Sequence, residues 1–208
     1  MVKSVCYQLF SGQTSSFGRN FLGPGSKMIV MDLSTYSDPV RRLLERPNPP
    51  MSLVCTRKPP AWATAELTAA RPAEWFPGSR HPEAALAGLW LRFSEWDRAH
   101  TIAQDLPSAE GSYWHAIIHR QEPDGWNSGY WFRRVRLHPV FEQLAREARQ
   151  LAVAHPKARF ELKDPWDPFA FIDYCQSPSA KGGAPGEALA LAIQDAEWRL
   201  LFDWCVRG

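Results

Sequence analysis

Pro139-Val140-Phe141-Glu142-Gln143-Leu144-Ala145-Arg146-Glu147-Ala148-Arg149-Gln150-Leu151-Ala152-Val153-Ala154 is the stretch that decides the fold class. Phe141, Leu144, Ala145, Ala148, Leu151 and Ala152 recur at the spacing that places them on one helix face. Proline opens the run at the first helical position, where a missing N–H costs nothing. His155-Pro156 closes it, because the residue before a proline is pushed out of the helical region. The same grammar repeats on both sides. Upstream, Pro82 opens a segment to Asp105 with Leu86, Leu89, Trp90, Phe93 and Trp96 at helical spacing. Ser108 can cap a helix over roughly 109–121, and Asp124 another over roughly 125–136. Downstream, Asp164-Pro165 or Asp167-Pro168 starts a short helix through Phe169 to Tyr174. Pro185 opens the last one, with Leu189, Ile193, Ala196, Leu200, Leu201 and Trp204 as its stripe. Apolar/polar alternation is nowhere sustained, so strands are not expected. The reading is all-α: about five or six helices in antiparallel hairpins joined by short connections.

The 208 residues include 10 Trp and 18 Pro and carry a formal net charge of +2. That balance offers no electrostatic footprint for nucleic acid. No apolar run is long enough to cross a membrane. Nine of the prolines lie between Pro39 and Pro82, including Pro47-Asn48-Pro49-Pro50 and Pro59-Pro60. Prolines at this density break helices and stay out of central strands. Residues 32–80 are therefore expected to be an irregular segment with short helices at best, one of them over Asp38-Pro39-Val40-Arg41-Arg42-Leu43-Leu44 with Asp38 as cap. The helical domain is expected over 81–208. Residues 1–31 hold Lys3, Arg19 and Lys27 and no acid, the composition of a transit peptide. The plainer expectation is disorder, or a true start at Met28 or Met31. Cys6, Cys55, Cys175 and Cys205 form no CxxC or zinc-knuckle spacing. Free thiols in a reducing cytoplasm are expected.

A weak internal echo links Glu95-Trp96-Asp97-Arg98-Ala99-His100-Thr101-Ile102 with Gly125-Trp126-Asn127-Ser128-Gly129-Tyr130-Trp131-Phe132. Trp96 matches Trp126, Ala99 matches Gly129, and Ile102 matches Phe132. Over residues 83–136 this resembles the helical-hairpin repeats of the tetratricopeptide and Sel1 type. A second resemblance rests on His115-Ala116-Ile117-Ile118-His119-Arg120-Gln121-Glu122-Pro123-Asp124, Tyr130-Trp131-Phe132-Arg133-Arg134-Val135 and His138-Pro139-Val140-Phe141. It also includes Trp166-Asp167-Pro168-Phe169-Ala170-Phe171-Ile172-Asp173 and Glu197-Trp198-Arg199-Leu200-Leu201-Phe202-Asp203. These runs resemble a group of uncharacterised, mostly bacterial proteins from about Trp75 to Cys205. The resemblance implies no mechanism. It implies a glycine where this chain has Arg136.

The chemistry-bearing residues cluster in that same segment. On a helix His115 and His119 stand at i, i+4 on one face, and Glu122 falls three further on the same stripe. His100 continues the apolar stripe of the preceding helix. A hairpin between the two would bring three His and one Glu together. Neutral imidazoles with a carboxylate suit zinc, nickel or iron, so His115, His119 and Glu122 are candidate ligands for a divalent metal. Ala116 stands where a metalloprotease motif needs its glutamate, which excludes that chemistry. A metal-free acid–base site is the other chemical option. The bland alternative is a hydrogen-bonded histidine layer beneath aromatic residues. In it Arg120 pairs with Glu122 or Asp124, Asp124 caps a helix, and Asn127 orders the loop. The candidate ligand-binding set is thus His100, His115, His119, Arg120, Glu122, Asp124 and Asn127. Arg133-Arg134-Val135-Arg136 reads as a solvated face and Lys181-Gly182-Gly183 as a linker. Two functions follow: a helical binding or scaffolding module, or a small-molecule or metal-dependent enzyme site on the histidine cluster.

Overall fold

A computed structural model describes residues 31–207; the expectation for residues 1–31 lies almost wholly outside them. The described chain is all-α, with no strand. Its helices are α1 (Asp38–Glu45), α2 (Ala61–Thr68), α3 (Pro72–Trp75), α4 (Pro82–Arg92), α5 (Trp96–Asp105), α6 (Ala109–Gln121), α7 (Gly125–Val135), α8 (Pro139–Ala154), α9 (Pro168–Gln176) and α10 (Pro185–Arg207). None is long and apolar enough to cross a membrane.

The expected caps form. Ser108 Oγ accepts from the Gly111 N–H, and Asp124 accepts from Asn127 N–H. Asp167, rather than Asp164, caps α9 by accepting from Phe169 and Ala170. In α1, Asp38 is the first helical residue and Ser37 the cap position.

The segment expected as one helix over 82–105 is two. Its apolar spacing runs unbroken through Phe93 and Trp96, yet Ser94 takes φ +66° and turns the chain. The turn makes α4 and α5 a hairpin and points α5 back along α6. Residues 32–80 carry three short helices, α1 among them over the expected Asp38 run. Val40, Leu43, Met51, Leu53, Ala63, Leu67 and Phe76 are buried in the same core as α4–α10.

α6 is the axis of the packing. It pairs with α5 on one side and α7 on the other, and it also meets α4. A Cβ on Gly88 would stand 2.6 Å from the Trp114 ring, so only glycine lets α4 close on α6. Every α6 residue after Ala109 is buried. An all-buried helix is normally apolar all round. This one holds Glu110, Ser112, His115, His119, Arg120 and Gln121, and a buried polar group without a partner costs about 1–3 kcal/mol. Those partners tie the surrounding helices to it.

Candidate functional site

Three of those buried polar residues find partners in structural ties. Trp96 Nε1 donates to Gln121 Oε1 at 2.8 Å, and Gln121 Nε2 donates to the Ser52 carbonyl at 3.0 Å. At the other end of α6, Trp204 Nε1 donates to Glu110 Oε1 at 3.0 Å. His81 Nδ1 and His138 Nε2 lie 3.4 and 3.6 Å from the same carboxylate. His138 Nδ1 accepts from Val140 N–H, so the proton sits on Nε2 and faces Glu110.

Arg120 corrects the sequence expectation. It pairs with neither Glu122 nor Asp124. Its guanidinium donates to Glu197 Oε2 of α10 at 2.5 Å, with both side chains fully buried. Tyr113 Oη donates to the other oxygen at 3.1 Å, and the Phe171 ring lies 4.6 Å from the guanidinium carbon. Burial pulls the Arg120 guanidinium down, but the Glu197 charge outweighs it and the net shift is upward. Arg120 is thus a buried tie between α6 and α10.

The histidines do converge. Antiparallel packing of α5 on α6 brings His100 against His115 and His119, and one ligand nitrogen from each lies within 4.8 Å of the others. His115 Nε2 and His100 Nε2 are 2.8 Å apart. The His115 and His119 rings stack at 4.7 Å, as i, i+4 spacing dictates, while His100 stands edge-on to both. His115 and His119 are buried and His100 is half-buried.

Glu122 stands behind this group and not in it. It is the C-cap residue of α6, and its carboxylate reaches back to His119 Nδ1 at 2.8 Å. That leaves Nε2 of His119 for the cluster. Asn127 Nδ2 lies 3.5 Å from the same Nδ1, and Asp124 serves as the α7 cap. Trp131, which sequence reasoning left out of the site, stacks on His115 at 3.9 Å and 24°. Its i+4 relation to Asn127 was the available signal. Arg134 lies over the Trp131 ring at 5.2 Å.

The electrostatics favour neutral rings. Burial, then the neighbouring His100 and His119, push the His115 imidazole down to about 3. Burial also lowers His119, against the pull of the Glu122 carboxylate. Neutral imidazoles are the ligating form. Tetrahedral coordination at about 2.0–2.1 Å per nitrogen requires neighbours about 3.3 Å apart, so the His100–His115 pair would have to part slightly while separations of up to 4.8 Å draw in. The Glu122–His119 contact has the form of the carboxylate that orients a metal-bound histidine. A separate cleft of about 460 Å³ lies between α2, α4 and α5, lined by Leu67, Leu86, Trp90, Arg98 and Ile102 and by none of the three histidines.

The chain matches no family model, no curated protein and no solved structure.

Proposed function

We propose that this protein binds one divalent transition-metal ion, of the zinc, nickel or iron(II) class, through His100, His115 and His119, and uses it on a small molecule. The reading rests on one observation: one imidazole nitrogen from each of the three histidines lies within 4.8 Å of the others, two of them joined by the His100–His115 hydrogen bond. Three protein ligands are the number a catalytic zinc site uses, with the fourth position left for water or substrate. The chain's own contribution is to hold His115 and His119 neutral, to orient His119 through Glu122, and to shield His115 beneath Trp131. A reducing, cytoplasmic setting accords with Cys55, Cys175 and Cys205 standing unpaired among the described residues. The Sel1-like resemblance covers residues 83–136, the stretch that holds α4 to α7.

The test is metal stoichiometry. Protein stripped with a chelator and titrated with Co(II) is expected to take up one equivalent with visible d–d absorption of a four- or five-coordinate nitrogen site. His115→Ala and His119→Ala, each checked for native circular dichroism, are expected to lose it. Uptake by the variants equal to wild type, or no stoichiometric uptake by wild type, overturns the reading.

A further inference from the structure

The outer face of α7 carries a feature that the histidine cluster does not use. Trp126, Tyr130, Leu137 and Phe169 are exposed, Trp126 at 78% and Leu137 at 91%. They are four of the five exposed large hydrophobic residues among those described, and all lie on α7, on the turn after it, or on α9 beside it. Trp126 and Tyr130 form a near-parallel pair at i, i+4, and Phe169 packs beside Gly129. In the internal echo Trp126 answers to Trp96. Trp96 is buried with its indole N–H bonded, whereas Trp126 is uncovered. Aromatic residues with arginine, gathered in one exposed patch, have the composition of interface cores.

Charge along this face is divided. Glu122 and Asp124 stand just before the N-terminus of α7. Arg133, Arg134 and Arg136 stand at its other end, and none of the three has a carboxylate partner among the described residues. Asp124 and Arg134 are about 15 Å apart along the helix axis. A face that is acidic at one end, aromatic in the middle and basic at the other is complementary to itself when turned through a two-fold axis. Two such helices laid antiparallel set each acidic end against the other's arginines and each Trp126 against a guanidinium, a cation–π contact. A two-fold interface uses one patch twice in this way.

We infer that the outer face of α7 is the interface of a two-fold homodimer, with a second copy of this chain as its occupant. The dimer uses none of the three histidines and shares only Glu122 with the metal reading, and its test leaves Glu122 in place. It supplies the association expected of an interaction module.

Sedimentation equilibrium of the full chain tests it. Wild type is expected to dimerise, more weakly at high salt. Trp126→Ser, Arg133→Glu/Arg134→Glu and Asp124→Lys, each with native circular dichroism, are expected to weaken the dimer about tenfold or more. The arginine variant then has two acidic ends and the Asp124→Lys variant a less acidic one beside its arginines. Mixed one to one, these two variants are expected to associate more tightly than either does alone. A wild type that stays monomeric overturns the inference. So does a dimer indifferent to Trp126→Ser and to the arginine reversal, or a mixture no tighter than its parts.

Discussion

His100 and His115 meet nitrogen to nitrogen, Nε2 to Nε2, at 2.8 Å across the α5–α6 contact. One ring must donate and the other accept, so the pair uses up a lone pair that a metal would otherwise take. An ion bound here would take both nitrogens only once the donor ring has moved its Nε2 proton to Nδ1, and it would then tie α5 to α6. Binding to the native state alone raises stability by about 2.7 kcal/mol when free metal is a hundredfold above Kd. For a chain of this size that is a rise in Tm of about 5–10 °C. Zinc added to metal-free protein is expected to give this rise in calorimetry, and His100→Ala to abolish it. A wild type whose Tm does not move with zinc contradicts the expectation.

Glu122 acts on the cluster through His119, whose Nδ1 it holds at 2.8 Å. Removing the charge while keeping the shape should loosen the ring and lower its basicity. Such outer carboxylates typically contribute 10–100-fold in metal affinity. Glu122→Gln is expected to weaken zinc binding about that much in a competition with a chromophoric chelator, at unchanged stoichiometry. Because Glu122 is a half-exposed cap residue, thermal stability of the metal-free protein should scarcely change.

The Arg120–Glu197 pair is fully buried, and half of it cannot stand alone. Glu197→Gln leaves a guanidinium in the core without its counter-charge. Breaking such a pair costs about 3–5 kcal/mol, whereas replacing both partners with apolar groups of similar volume is often far milder. Urea unfolding should therefore rank Glu197→Gln well below the double variant Arg120→Met/Glu197→Met. Equal losses would mean that the pair is not desolvated in solution.

Acid should act through Glu110. Burial pushes this carboxyl up, but His138, its own backbone N–H, Trp204 and His81 outweigh it and hold the group at about 2. Its native pKa lies below the unfolded value of about 4.5, so its stabilisation is fully present above about pH 4.5. It is lost as pH falls from there towards 2. Tm measured over that window should fall less steeply in Glu110→Gln than in wild type. An equal slope in the two proteins would show that Glu110 is not the group titrating.

Helix boundaries were legible because prolines and capping residues act locally: Ser108, Asp124, Asp167 and Pro139 each mark a terminus from their own side chains. The break at Ser94 was not, since the apolar spacing from Leu86 to Trp96 passes straight through it. A positive φ at serine has no compositional signature. Within the site, His115 and His119 followed from i, i+4 spacing, and His100 followed once a hairpin was assumed. Glu122 was placed on the right stripe, and of the two roles open to it there, ligand or partner of a histidine, its contact with His119 Nδ1 is of the second kind. The chain leaves helical geometry at that residue, and the carboxylate swings back to His119. The partner of Arg120 lies 77 residues away on α10, beyond any local pattern. The helices at 61–68 and 72–75 were hidden by neighbouring prolines, and it is burial of Ala63, Leu67 and Phe76 in the common core that sustains them.

Arg136 has the backbone of a glycine position. It is the C-cap residue of α7, at φ +59° and ψ −124°. An L side chain there brings its Cβ against the backbone, a strain of about 1–2 kcal/mol that glycine does not feel. Glycine also loses more freedom on folding, which returns part of the gain. Arg136→Gly is therefore expected to stabilise the metal-free protein by about 1 kcal/mol, seen as a Tm higher by about 2–4 °C. Arg136→Ala keeps the Cβ and removes only the charge, so it should leave Tm near wild type. If alanine stabilised as much as glycine, the effect would come from the arginine side chain and not from the backbone.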